Sequence, residues 1–224
     1  MTHLDTELKQ LRTSVLEMWT LIFNQLSKSQ EALINFDKEL AQEIATNEKR
    51  VDAFELKLNM DCENILALFN PVANDLRLVL SVLRINSDLE RIGDYAKSIA
   101  KMTTDGCKPY SADILKQTKI AEMYEVAVEM IANTLASFEK EDSKLVRSVF
   151  KNDEILDKIN KHANNTIAKL IKENPEEIES CLELLSVIRK LERVGDQTKN
   201  IAEEIIFYAE AKVLRHMKKK DKLE

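Results

Sequence analysis

Leu89-Glu90-Arg91-Ile92-Gly93-Asp94 in the first half of the chain returns as Leu191-Glu192-Arg193-Val194-Gly195-Asp196 in the second. The copies lie 102 residues apart (Glu90 to Glu192) in a chain of 224, which marks an internal duplication. Working outward, Leu89, Ile92, Ala96 and Ile99 step by three, four and three residues, and Leu191, Val194, Thr198 and Ile201 repeat the step. That is the period of a helix burying one stripe, used twice. The chain has only three glycines, and two stand inside these copies. A helix interior loses about 1 kcal/mol when Gly replaces Ala. Tight packing against a neighbouring helix is one reason to accept that cost. Close approach of a cation, its water shell or a backbone is the other.

Composition points the same way. Hydrophobic residues make up 44% of the chain, enough for a core, while aromatics at 5%, three Gly and three Pro argue against a β-rich fold. A net charge of −6 disfavours a nucleic-acid partner. No apolar run reaches the length of a membrane span, and the N-terminus has no signal-peptide pattern. Cys62, Cys107 and Cys181 are isolated, as a reducing compartment allows. A cytoplasmic location is the expectation.

Breaks in the pattern predict six helices, over roughly 4–30, 34–69, 71–103, 111–138, 141–173 and 175–214. Asn70-Pro71 and Asn174-Pro175 read as helix starts, a capping residue followed by Pro. Gly106 and Pro109 mark residues 105–110 as the linker between a first repeat, 1–104, and a second, 111–224. Short connections favour antiparallel neighbours. The expected architecture is all-α: two tandem, pseudo-symmetric antiparallel three-helix bundles.

Glu90 and Asp94 are one helical turn apart, away from the apolar stripe. The preceding helix carries Glu48 and Asp52 at the same spacing. Glu48 and Asp94 are equidistant from Pro71, and so are Asp52 and Glu90, so an antiparallel hairpin turning there brings the pairs level. In the second half Asp153 pairs with Asp196, and Asp157 with Glu192, symmetrically about the Asn174–Pro175 bond. With 39 acidic residues, about seven such pairs at i,i+4 arise by chance, so one pair alone reads as a solvated helix face. Two matched constellations read differently. Four converging carboxylates repel and raise each other's pKa, and a hard cation relieves the strain.

These residues carry a resemblance to the PhoU family, regulators found beside bacterial phosphate transporters. Asn86-Ser-Asp-Leu-Glu-Arg-Ile-Gly-Asp94 resembles the family's first Glu-x-x-x-Asp helix, and Leu191 to Asp196 followed by Asn200-Ile-Ala-Glu203 its second. Pro71-Val-Ala-Asn-Asp-Leu-Arg77 and the terminal Arg215-His216 are also similar. The resemblance implies metal ions (iron, zinc, manganese or magnesium) held by Glu48, Asp52, Glu90, Asp94, Asp153, Asp157, Glu192 and Asp196. It makes Arg77, Arg91, Arg193 and Asn200 candidates for orienting those ligands or docking a partner. It further implies a homodimeric, non-catalytic regulator that restrains phosphate uptake and starvation signalling. Its partners would be the transporter's ATPase subunit and a membrane sensor kinase. Three departures imply that the two sites differ. Ser98-Ile-Ala-Lys101 stands where the second half has Asn200-Ile-Ala-Glu203, Gln197 stands where the family often has His, and no Asp-Leu-Arg follows Pro175.

Other classes compete less well. His3, His162 and His216 form no Glu-x-x-His, which disfavours a ferritin-like di-iron oxidase, and there is no P-loop or nucleophile elbow. A carboxylate-bridged di-metal enzyme, a metal store and a purely structural helical module are the alternatives. The basic stretch Arg215 to Lys222 allows at most peripheral attraction to an anionic membrane.

Overall fold

The computed structural model describes residues 2–214. Seven α-helices run through them: α1 (His3–Asn35), α2 (Lys38–Phe69), α3 (Ala73–Asp105), α4 (Ala112–Thr118), α5 (Ile120–Lys140), α6 (Arg147–Glu173) and α7 (Ile178–Glu210). A single 3-10 turn, Pro175–Glu177, leads into α7. The longest helices have 33 residues and span about 50 Å at 1.5 Å per residue. α1–α2–α3 form one antiparallel three-helix bundle and α5–α6–α7 the other, with α4 between them.

The ends of the helices follow from local chemistry. Thr2 and Asp5 make a reciprocal capping box, the Thr2 hydroxyl accepting from the Asp5 amide (3.2 Å) and the Asp5 carboxylate from the Thr2 amide (2.7 Å). α1 runs past the weak break expected near residue 30 and stops at Phe36, in the left-handed region at φ 54°. Asp37 then caps α2 by accepting from the Leu40 amide at 2.9 Å. The first Asn-Pro pair departs from the sequence expectation, while the second starts the 3-10 turn, with Asn174 before it and Pro175 in first position. Asn70 closes α2 in a left-handed conformation (φ 47°), and Asn174 closes α6, its amide bonding back to Leu170. Neither Asn side chain caps the helix that follows.

Two further expectations are corrected. The helix expected over 111–138 is broken at Lys119, which sits at φ 57° and serves as the end of α4 and the start of α5. The Lys119 amide bonds back to the Lys116 carbonyl and closes the short helix without Gly or Pro, while the Thr118 hydroxyl donates to the carbonyls of Ile114 and Leu115. The helix expected from 141 begins at Arg147, because Asp142 accepts from the Lys144 amide and holds a turn there. The last helix ends at Glu210, with Ala211 closing it in the left-handed region, not at 214.

The repeated stripe is buried in both halves: Leu89, Ile92, Ala96, Ile99, Leu191, Val194, Thr198 and Ile201 are fully enclosed. One core runs through both bundles. Helices α3 and α7 pack along each other and α1 packs on α5, so α2 and α6 are left on the two flanks. Trp19 of α1 stacks obliquely on Phe138 of α5, ring centres 5.5 Å apart, and Phe138 in turn meets Tyr208 of α7 at 6.2 Å. Polar clamps pin the seam. Arg12 donates to the Tyr208 hydroxyl (2.8 Å) and the Phe138 carbonyl (3.1 Å). Arg84 grips both oxygens of buried Glu204 at 3.0 and 3.1 Å. Among the described residues no helix is long and apolar enough to cross a membrane.

Candidate functional site

The repeated glycines set the geometry. Gly93 and Gly195 are buried and helical in backbone. A methyl at Gly195 would come within 2.5 Å of a Leu156 methyl and 3.5 Å of an Asp153 carboxylate oxygen. At Gly93 it would meet a Val51 methyl at 3.3 Å and the Gln25 amide oxygen at 3.6 Å. Val51 and Leu156 hold matching places in the two repeats, each one residue before the second acid of its helix. Both glycines therefore let the flanking helix, α2 or α6, settle onto the motif helix, α3 or α7. Packing is the immediate reason for Gly, and it brings the carboxylates of the flanking helix in with it.

In the first half the four predicted acids converge. Glu48 is buried at 2% exposure, and neither of its oxygens receives a hydrogen bond from a protein N–H or hydroxyl. Its carboxyl is pushed up to about 7, by burial first and then by the nearby Asp94 and Asp52 carboxylates, with Lys97 opposing. Glu90 on α3 is also raised, by burial and by Asp94, Glu55 and Asp52. Asp52 and Asp94 themselves are exposed. The cluster is thus a wall of negative charge with one desolvated carboxyl at its base.

The second half repeats the convergence with one change. Asp153 is 1% exposed, and burial raises its pKa despite its lysine partner. Glu192 is raised by burial and Asp196, with the Asn160 side chain tempering the effect. Lys199 reaches into this cluster and donates to Asp153 at 2.8 Å and Asp196 at 2.6 Å. Burial disfavours its charge, but the two carboxylates outweigh this and hold its pKa above the usual lysine range. Lys97 is the matching residue of the first half. It stands 4.0 Å from Asp94, 43% exposed. Lys199 was missed in the sequence reading. Its position three residues after Asp196, on the same helix face, was the available signal.

The remaining candidates lie apart from one another. Arg91 and Arg193 are exposed beside Glu90 and Glu192, and Arg193 lines a cleft of about 430 Å³ with Lys97 and Lys101. Asn200 is half-buried one turn beyond Asp196. Arg77 bonds Asn74 and the Tyr208 carbonyl at the bundle seam, near the start of α3 and away from the acids. Gln197 is buried with an amide oxygen that accepts no hydrogen bond. Arg215, His216 and the basic tail lie outside the described residues. Among the described residues no three acidic, Cys or His side chains are gathered tightly enough to hold a metal as they stand. A cavity of about 570 Å³ between the Lys119 break and α6 contains none of the eight acids.

Two helical repeats, each pairing an acidic flanking helix with a Gly-bearing acidic helix across a shared core, define a tandem-bundle protein with duplicated carboxylate clusters. The PhoU domain model matches this chain twice, over residues 15–103 and 120–205. The chain belongs to the PhoU family of phosphate-transport accessory proteins. It is 33% identical over 208 residues to a phosphate-specific transport system accessory protein PhoU homolog of Zymomonas mobilis, covering 93% of this chain and 87% of that one. It is 31% identical over 213 residues to a homolog of the same description from Pseudomonas putida, covering 95% and 83%. Among solved structures it is similar to PhoU from Pseudomonas aeruginosa, with a TM-score of 0.84 and 30% identity over 93% of this chain and 99% of that one. The phosphate transport system regulatory protein PhoU from Streptococcus pneumoniae matches with a TM-score of 0.84, 29% identity and coverage of 94% and 99%. Membership places the chain among non-catalytic regulators of phosphate homeostasis.

Proposed function

We propose that this protein restrains phosphate uptake and phosphate-starvation signalling by contacting the transporter's ATPase subunit and a membrane sensor kinase, as a homodimer, with metal bound at its acidic clusters. The observation that carries the regulatory reading is the double match to the PhoU domain, one copy on each bundle. Exposed apolar side chains on α2 and its turn support a protein partner: Leu56, Met60, Leu68 and Val72 are each more than 60% exposed. The metal reading draws support from Glu48, a buried carboxyl whose two oxygens accept no hydrogen bond. Oxygen-only ligands suit a hard cation, and iron, manganese, magnesium or zinc are the candidates. Glu48, Asp52, Glu90 and Asp94 would hold the ion, which would cancel their repulsion and tie α2 to α3.

Co-purification of the transporter ATPase subunit with tagged protein, in wild type and in a Leu56→Asp/Met60→Asp variant, tests the contact. Capture by wild type and loss in the variant is expected. No capture by either form overturns the contact. Elemental analysis of wild type and Glu48→Gln/Asp94→Asn tests the metal separately, and equal metal content in the two would remove it.

A further inference from the structure

We infer that Lys199 is an internal counter-ion standing in the cation position of the second acidic cluster, so that the two clusters are unequal and divalent metal is taken first by the α2–α3 cluster. This rests on the metal-binding reading above and adds an order of occupancy to it.

The argument is a comparison between two halves built alike. Each contains four carboxylates on a flanking helix and a motif helix. Each carries a lysine three residues after the motif aspartate, Lys97 or Lys199. In the second half the ammonium is drawn in to 23% exposure and bonds two carboxylates at once, one of them on α6 and one on α7. A bridging cation would have to make the same two connections. Asp153 is left with only one oxygen unpartnered. In the first half the lysine stays at the rim, 4.0 Å from Asp94; its charge acts on Glu48, but it makes no hydrogen bond to either Glu48 oxygen. Both oxygens of buried Glu48 remain without a donor. A dication entering the first cluster therefore meets an unsatisfied carboxylate. One entering the second must first displace an ammonium from two short hydrogen bonds and leave it beside a like charge.

The test is titration of metal-stripped full-length protein with Mn²⁺, read by calorimetry and by the loss of the free-ion electron spin resonance signal. Wild type is expected to bind one Mn²⁺ tightly, and a second roughly tenfold or more weakly. Lys199→Gln is expected to strengthen the weak site by a similar factor and leave the tight one alone. Glu48→Gln is expected to abolish the tight site in both backgrounds. Lys199→Met, which keeps the bulk of the side chain without its charge, should reproduce Lys199→Gln, and helical content by circular dichroism checks that each variant is folded. Two equal sites in wild type, unmoved by either Lys199 substitution, overturn the inference while leaving the metal reading standing. Tight binding that survives Glu48→Gln but is lost on Lys199→Gln overturns the order of occupancy. No Mn²⁺ binding by any form overturns the inference and the metal reading together.

Discussion

Replacing Gly195 by alanine adds one methyl group at the point where α6 lies against α7. The new carbon would sit 2.5 Å from a Leu156 methyl, so that side chain must retreat by about an ångström to regain ordinary contact. Leu156 is fully buried and has little room to retreat into. Overpacking of this kind costs about 1–3 kcal/mol, against a helix-propensity gain of about 1 kcal/mol. The net expectation is a loss of about 1 kcal/mol. Gly93→Ala is the internal control. There the new methyl meets Val51 at 3.3 Å, a few tenths short of comfortable, so the propensity gain should roughly cancel the cost or exceed it. Urea unfolding of metal-free protein reads both changes as shifts in midpoint at constant slope. Gly195→Ala should also couple to Leu156→Ala, because the added methyl partly fills the space the leucine leaves. The double variant is expected to be about 1–2 kcal/mol more stable than the sum of the single changes predicts. A Gly195→Ala protein as stable as Gly93→Ala, with additive behaviour at Leu156, would refute the packing account of the repeated glycine.

Three other outcomes follow from the same geometry. Glu48 titrates near 7 in the folded chain against 4.5 for an ordinary Glu, so folding binds its proton more tightly; the stability this gives metal-free protein is complete below pH 4.5 and is lost as pH rises through 7, amounting to about 3 kcal/mol at most. Glu48→Gln should flatten that slope in unfolding curves between pH 5 and 8, and an unchanged slope would assign it to other groups. Arg84→Ala, which removes the guanidinium nitrogen shared between both oxygens of buried Glu204 across the seam, should cost about 1–2 kcal/mol, and adding Glu204→Gln should recover part of the loss in thermal melts. Asp37→Ala removes the α2 cap and should cost about 1 kcal/mol in the same assay, with no change at either acidic cluster.

Much of the fold was legible in the sequence because helices write their burial into a fixed period. The stepped positions from Leu89 to Ile99 and from Leu191 to Ile201 gave the buried stripe, and all eight are enclosed. Equal distances from the Pro-marked turns anticipated which acids would meet, since an antiparallel hairpin has one register once its turn is known. Glu48 does face Asp94 and Asp52, and Glu192 does face Asp196 and Asp157. The turn chemistry was harder to read. Lys119 breaks a helix with neither Gly nor Pro, and Asn70 closes α2 without starting α3, whereas Asn174 both closes α6 and precedes the 3-10 turn that leads into α7. These depend on backbone conformations that many residues can adopt when the surrounding packing fixes them. Lys199 escaped notice for a different reason. A lysine one turn from an aspartate reads as an ordinary surface pair, and only the buried Asp153 across the groove gives it a second partner.

The shared core has a consequence for how such a chain could be divided. Trp19, Tyr124, Phe138 and Tyr208 lie where one bundle meets the other. Either half expressed alone would present part of that surface to water and would need a second copy to cover it. Tying the halves together turns a bimolecular association into an intramolecular one, at an effective concentration of about millimolar for a short connection. The two acidic clusters are thereby kept in fixed one-to-one proportion at any abundance of the protein, and each copy is free to change its sequence without its twin having to follow.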